Sequence, residues 1–233
     1  METQLFEQAK AEAFGGKMLS IINNASTALM ISIGHQTELF DQMAKLPPAT
    51  SAGLAKAAGL NERYVREWLG AMVTAQLVEY NPLDQTYRLP PEHAAFVTRG
   101  AGPDNLAFFT QYIALMGDIE QEVIACFRHG GGVPYSSVPK FQSLQAEETA
   151  RVYDATLIDV ALPLVPGLVD RLRDGIDVLD VGCGGGHAIN LMAQAFPRSR
   201  FTGYDFSEEG ISMGRAEAAR MGLANANFVV KDI

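Results

Sequence analysis

Residues 178–186 read Val-Leu-Asp-Val-Gly-Cys-Gly-Gly-Gly. The apolar residues Val178, Leu179 and Val181 suit a strand buried on both faces of a parallel sheet. Gly182, Gly184, Gly185 and Gly186 then let the backbone turn sharply and approach a ligand, because no Cβ stands in the way. A helical pattern opens directly afterwards, at His187. Strand, glycine turn and helix N-terminus together form a nucleotide-type site. Phe201-Thr-Gly-Tyr-Asp205 reads as a second strand that ends in an acid, 21 residues after Gly184. A carboxylate there accepts two hydrogen bonds from a ribose diol. Asn227-Phe-Val-Val-Lys-Asp232-Ile233 reads as a third strand with a further acid at its end.

The dinucleotide fingerprint needs glycines at relative positions 1, 3 and 6, and the sixth position here is His187. The pattern present is Asp180-x-Gly182-x-Gly184-x-Gly186. With the two further strand ends, it resembles the cofactor half of class I S-adenosylmethionine (SAM)-dependent methyltransferases. The competing readings are a glycine-rich turn in another doubly wound protein and a site for NAD or FAD. The resemblance implies that Gly182, Cys183 and Gly184 touch SAM through the backbone. It places Asp180 near the methionine amino group and Asp205 on the ribose hydroxyls. Phe206 would pack on the adenine, and Asp232 and Ile233 would contact its edge. For Asp205 the alternative role is a helix cap, but Ser207 stands at a better capping position, with Glu208 and Glu209 in the first turn. Cys183 reads as a small backbone-contact residue rather than a reactive thiol, and His187 as a residue of the pocket edge. The catalytic base, if one is needed, is not identified. His129, Tyr135 and Tyr153 are candidates by their place near a glycine-rich loop, 129–135.

The elements that must position this site begin with a helical stretch over residues 3–45, in two pieces if Gly15-Gly16 breaks it, ended by Pro47-Pro48. Ser51 can cap a short helix to Ala58. Gly59 fits its C-cap, and Asn61 can cap the next helix. That helix carries Val65, Trp68, Leu69, Met72 and Val73 at core spacing. Val78–Tyr80 and Tyr87–Leu89 alternate around Asn81-Pro82-Leu83-Asp84, a hairpin signal. A helix pair followed by a hairpin is a winged helix. Residues 103–170 look mainly helical, with an apolar stripe of Phe108, Phe109, Tyr112, Ile113, Met116 and Ile119. The expected fold is α/β: an N-terminal all-α, winged-helix domain followed by the first half (βαβαβ) of a Rossmann-like SAM-binding domain. The expected division is residues 1–100, a helical connector at 101–170, and 171–233. The family domain carries further strands, so the resemblance implies a C-terminally truncated chain that is inactive by itself.

Composition bounds the partners. The chain has 233 residues, 48% of them hydrophobic and 19% charged, with a net charge of −9. Residues 1–100 hold ten acids against eight Lys and Arg. Neither half has the basic footprint of a nucleic-acid partner. In the second helix of the pair, Arg63 and Arg66 are accompanied by Glu62 and Glu67, whereas a groove-entering helix offers uncompensated cations to phosphates. Residues 18–37 lack charged residues but are too polar for a membrane span. No basic leader opens the chain, and its two cysteines are far apart, which suits the cytoplasm. The resemblance implies methyl transfer to a small-molecule substrate, in a homodimer joined through the N-terminal helices. The alternatives are a winged-helix transcriptional regulator with SAM as effector, and a catalytically silent scaffold. No metal site is expected.

Overall fold

The computed structural model describes residues 6–134, 137–138 and 140–232, so Tyr135 and Ile233 lie outside the described residues. Contacts divide the chain into two compact units, up to Gln121 and from Glu122 onward. The division falls inside the stretch expected to be a connector.

In the first unit, α1 (Gln8–Gln36) runs unbroken through Gly15-Gly16. The expected break lies further on, at Glu38, whose φ of 58° starts α2 (Leu39–Lys45). The glycines are tolerated in mid-helix because propensity is a weak prior, costing about 1 kcal/mol for each glycine relative to alanine. α3 (Ser51–Ala58) and α4 (Glu62–Thr74) follow. Thr50, not Ser51, caps α3, its side chain accepting from the Gly53 N–H at 3.2 Å. Ser51 instead donates to Glu62 at 2.7 Å. Gly59 takes the left-handed C-cap and Asn61 caps α4, both as its sequence signals require. The hairpin consists of β1 (Glu79–Asn81) and β2 (Thr86–Arg88), antiparallel, with Tyr80 opposite Tyr87. Ala49 bridges to Tyr87 and adds a third short segment. The core gathers Leu39, Phe40, Met43, Val65, Trp68, Leu69 and Met72. Trp68 packs edge-on against Phe40 at 5.0 Å and donates to the Met30 carbonyl at 2.8 Å.

α5 (Pro91–Val97), α6 (Gln111–Asp118) and α7 (Glu120–His129) follow, with 3₁₀ turns between α5 and α6. The anticipated stripe is split: Phe108 and Ile119 are buried, but Phe109, Ile113 and Met116 are exposed.

The second unit has α8 (Phe141–Thr156), α9 (Leu168–Asp174), β3 (Asp177–Val181), α10 (His187–Ala195), β4 (Arg200–Asp205), α11 (Glu208–Arg220) and β5 (Ala226–Val230). The three strands form one parallel sheet in the order β3-β4-β5, a βαβαβ unit. Phe201, Phe228, Ile189 and Ile211 form the heart of its core. The expectation that β3 is buried on both faces fails among the described residues. Leu179 and Val181 remain 54% and 57% exposed. Three apolar residues around one acid cannot by themselves distinguish one covered face from two.

Candidate functional site

The loop after β3 takes positive φ at Gly182 (79°), Gly184 (53°) and Gly186 (70°). The Gly182 and Cys183 amides both donate to the Tyr204 carbonyl, at 2.7 and 3.0 Å, which anchors the loop to the end of β4. At Gly182 and Gly184 a Cβ would meet nothing within 4 Å. Those two positions therefore border open space. Gly186 differs, because a Cβ there would collide with the Phe228 ring. Its lack of a side chain serves packing rather than ligand approach.

Asp205 closes the arrangement. One carboxylate oxygen accepts from the Gly184 N–H at 2.8 Å and the other from the Ser207 N–H at 2.8 Å. Each oxygen retains a further lone pair for a ligand donor. Ser207 is the cap of α11, accepting from Gly210, as its position in the sequence indicates.

A cleft of roughly 380 Å³ lies over this loop, walled by Asp180, residues 182–188, Asp205 and Phe206 on one side and α8 on the other. From α8 come Phe141, Gln145, Ala146, Thr149 and Tyr153. Burial, aided by the charge of Asp205, raises the Asp180 carboxyl above its ordinary value. Burial, with the charges of Asp180 and Asp205, pushes the Cys183 thiol up to about 12, so it stays protonated and unreactive at neutral pH. His187 lies at the cleft edge between Asp154 and Glu217, 2.9 Å from each.

The structure thus brings together Asp180, Gly182, Cys183, Gly184, Asp205 and Phe206. Asp232 is exposed and lies outside the residues that wall the cleft. Of the three candidate bases, Tyr153 lines the cleft, His129 ends α7 and is not among the residues that wall the cleft, and Tyr135 lies outside the described residues. The α8 wall was missed by sequence reasoning apart from Tyr153. Its residues carry no motif, and only the packing of α8 brings them to the loop. Among the described residues no cluster of His, Cys, Asp or Glu could hold a metal ion, and no single helix is long and apolar enough to cross a membrane.

A parallel βαβαβ sheet, a glycine loop after its first strand and an acid ending its second define a Rossmann-like domain of the class I methyltransferase type. The comparisons with known proteins agree. Residues 25–99 match the Rv2258c-like winged HTH domain, and residues 172–233 match a methyltransferase domain. The two matches place a winged helix N-terminal to a methyltransferase domain in this chain.

Nocamycin O-methyltransferase of Saccharothrix syringae is 34% identical over 89 residues, covering 37% of this chain and 32% of that protein. The release factor glutamine methyltransferase of Koribacter versatilis is 38% identical over 77 residues, 33% of this chain and 25% of its own length. The chain therefore spans a third or less of these curated relatives. Among solved structures, the mitomycin 7-O-methyltransferase MmcR aligns with a TM-score of 0.70 at 18% identity, over 97% of this chain and 68% of its own. Human N-acetylserotonin methyltransferase in complex with SAM aligns at 0.59 and 15% identity, over 99% of this chain and 68% of that one. At such identity these two likenesses concern the fold alone.

Proposed function

We propose that the chain binds SAM in the cleft over the 182–186 loop and serves methyl transfer to a small organic molecule. The observation that carries this reading is the pairing of open space at Gly182 and Gly184 with the Asp205 carboxylate fixed onto the Gly184 amide. The residues fit the cofactor. Two carboxylates, Asp180 and Asp205, suit a ligand that bears an ammonium, a sulfonium and a ribose diol. A cation beside Asp180 would offset the burial that now disfavours its charge. Phe206, exposed at the cleft, offers a ring for the adenine face. Asp232 and Ile233 are retained as adenine contacts from the resemblance alone. Bound SAM supplies an electrophilic methyl group. The chain's own part is alignment and exclusion of water, to which the α8 wall contributes.

A small-molecule substrate is favoured over nucleic acid. Arg66 of α4 lies 3.8 Å from Glu62 on its own helix, so this cation is partly neutralised rather than offered to phosphate. A homodimer through α1 is favoured by the exposure of Phe14, Leu19, Ile21 and Ile22 along it. The two free cysteines, each half-buried, suit a reducing compartment such as the cytoplasm.

Calorimetry with S-adenosylhomocysteine (SAH) tests the cofactor assignment. Asp205→Ala removes the acceptors for the loop amide and for a diol, so its binding should weaken by about 1–3 kcal/mol. Asp205→Asn keeps one acceptor oxygen and should fall between the two. Equal binding by wild type and Asp205→Ala would sink the assignment.

A further inference from the structure

His187 is held in a way that its place on the glycine loop does not require. Its Nδ1 lies 2.9 Å from a Glu217 oxygen of α11, and its Nε2 lies 2.9 Å from an Asp154 oxygen of α8. Ionised carboxylates only accept hydrogen bonds, and a neutral imidazole donates only one. Both bonds exist together only when the ring is an imidazolium. The site is otherwise a poor one for a cation, since His187 is the first residue of α10 and the helix dipole opposes positive charge there. The two carboxylates offset that cost.

The partners are unequal. Glu217 is only 17% exposed and also accepts from Asn190 Nδ2 at 2.9 Å and Arg220 Nη2 at 3.3 Å. Asp154 is 60% exposed. If the ring loses a proton, the remaining N–H is best kept by buried Glu217. The bare Nε2 then faces the Asp154 carboxylate, lone pair against lone pair. The contact that fails is the one that ties α8 to the loop. α8 supplies the whole opposite wall of the cleft, and its Ala146 comes so close that a Cβ on Gly185 would lie 3.3 Å away.

We propose that His187, as an imidazolium bonded to Asp154 and Glu217, is a positioning residue that clasps α8 over the cofactor cleft and releases it when deprotonated. The cleft's ligand rests on the function proposed above, whereas the clasp itself does not. The charged groups acting on the ring are Asp154 from α8 and Glu217 from α11, with Arg220 beyond Glu217. Arg151, one turn earlier on α8, interacts with Glu147 and Glu148 of its own helix. Burial works against the ring's charge, but the hydrogen bonds to Asp154 and Glu217 outweigh it and raise His187 above the ordinary 6.5. A histidine raised in this way contributes fully below its ordinary value, and that contribution is lost as pH climbs through the raised one.

The test uses the whole chain without ligand and then with SAH. Histidine ¹⁵N–¹H spectra from pH 6 to 9 follow the ring protons, and His187→Gln identifies the His187 signal among the four histidines. Both His187 nitrogens should be protonated at pH 6, and titration should fall above 6.5. Asp154→Asn, an exposed and mild change, should lower that midpoint. Hydrogen-exchange protection of residues 141–156 should drop as the ring titrates. SAH affinity should fall about 3- to 10-fold across the same range, a discounted figure because Asp154 is partly exposed. In His187→Gln it should be flat. A ring protonated on one nitrogen at pH 6, or a midpoint unmoved by Asp154→Asn, overturns the clasp. So does α8 protection that ignores the titration. No SAH binding at any pH, with the titration and protection as expected, overturns the cofactor reading and leaves the clasp standing.

Discussion

The two faces of the parallel sheet are unlike. One is closed: Phe201 and Phe228 are 1% and 2% exposed beneath Ile189 of α10 and Ile211 of α11. The other is open at Leu179 and Val181, which alternate with Val178 and Asp180 along the same strand. Pairing in register places Asp180 beside Gly203, and Asp205 follows two residues further along β4, so both carboxylates belong to the closed face. The site and the core therefore share one side of the sheet. The burial that raises the Asp180 carboxyl comes from the same packing that holds the strands together. Glycine marks this sharing, since Gly186, Gly203 and Gly214 all leave room for the Phe228 ring.

If the closed face carries the stability, Phe228→Ala should have the largest effect. Truncating a fully buried phenylalanine costs about 3–5 kcal/mol. Three glycines around the ring cannot fill the void without backbone movement. Chemical denaturation followed by circular dichroism reads the loss. A cost under about 1 kcal/mol would mean that this core is not packed as described.

Gly186→Ala is next. Its φ of 70° strains any side chain, and the added methyl meets Phe228. The combined cost should be about 1–3 kcal/mol of stability, with SAH affinity reduced because the loop must shift. Gly182→Ala sharpens the contrast. It has a similar backbone strain but open space beside it, so its effect on SAH should exceed its effect on stability. Equal ratios of the two effects in both variants would show that the loop glycines do not divide into packing and binding positions.

The sequence made the cofactor loop legible because its determinants are local. Asp180, Gly182, Gly184 and Asp205 each stand at or just beyond a strand end, and strand, turn and acid can be read in order. The caps Gly59, Asn61 and Ser207 were legible for the same reason, each being decided by one or two neighbouring residues. The α8 wall and the Asp154–His187–Glu217 contact were not. They join residues about 30 apart through the packing of amphipathic helices, and no spacing rule encodes that. The break in the first helix was misplaced because Gly15-Gly16 looked like a boundary, while Glu38 supplied it in a left-handed conformation few non-glycine residues adopt. The open face of β3 was misread because alternation was absent. Its apolar residues look alike, and only the helices overhead tell them apart.

The smallest effect should come from that open face. Leu179→Thr introduces a β-branched, strand-compatible side chain and removes apolar surface of which more than half already meets water. With Leu179 54% exposed, the stability change should stay within about 0.5 kcal/mol. The urea midpoint should barely move, and the slope with denaturant should be unchanged. Phe228→Ala and Leu179→Thr then differ several-fold in cost although both lie on one three-stranded sheet. A loss of 2 kcal/mol or more for Leu179→Thr would break the comparison. It would mean that Leu179 is covered in solution, and repeating the measurement at tenfold lower protein concentration would tell a second copy from a cover within the chain. A concentration-dependent cost assigns the cover to self-association, and a constant one assigns it to the chain itself.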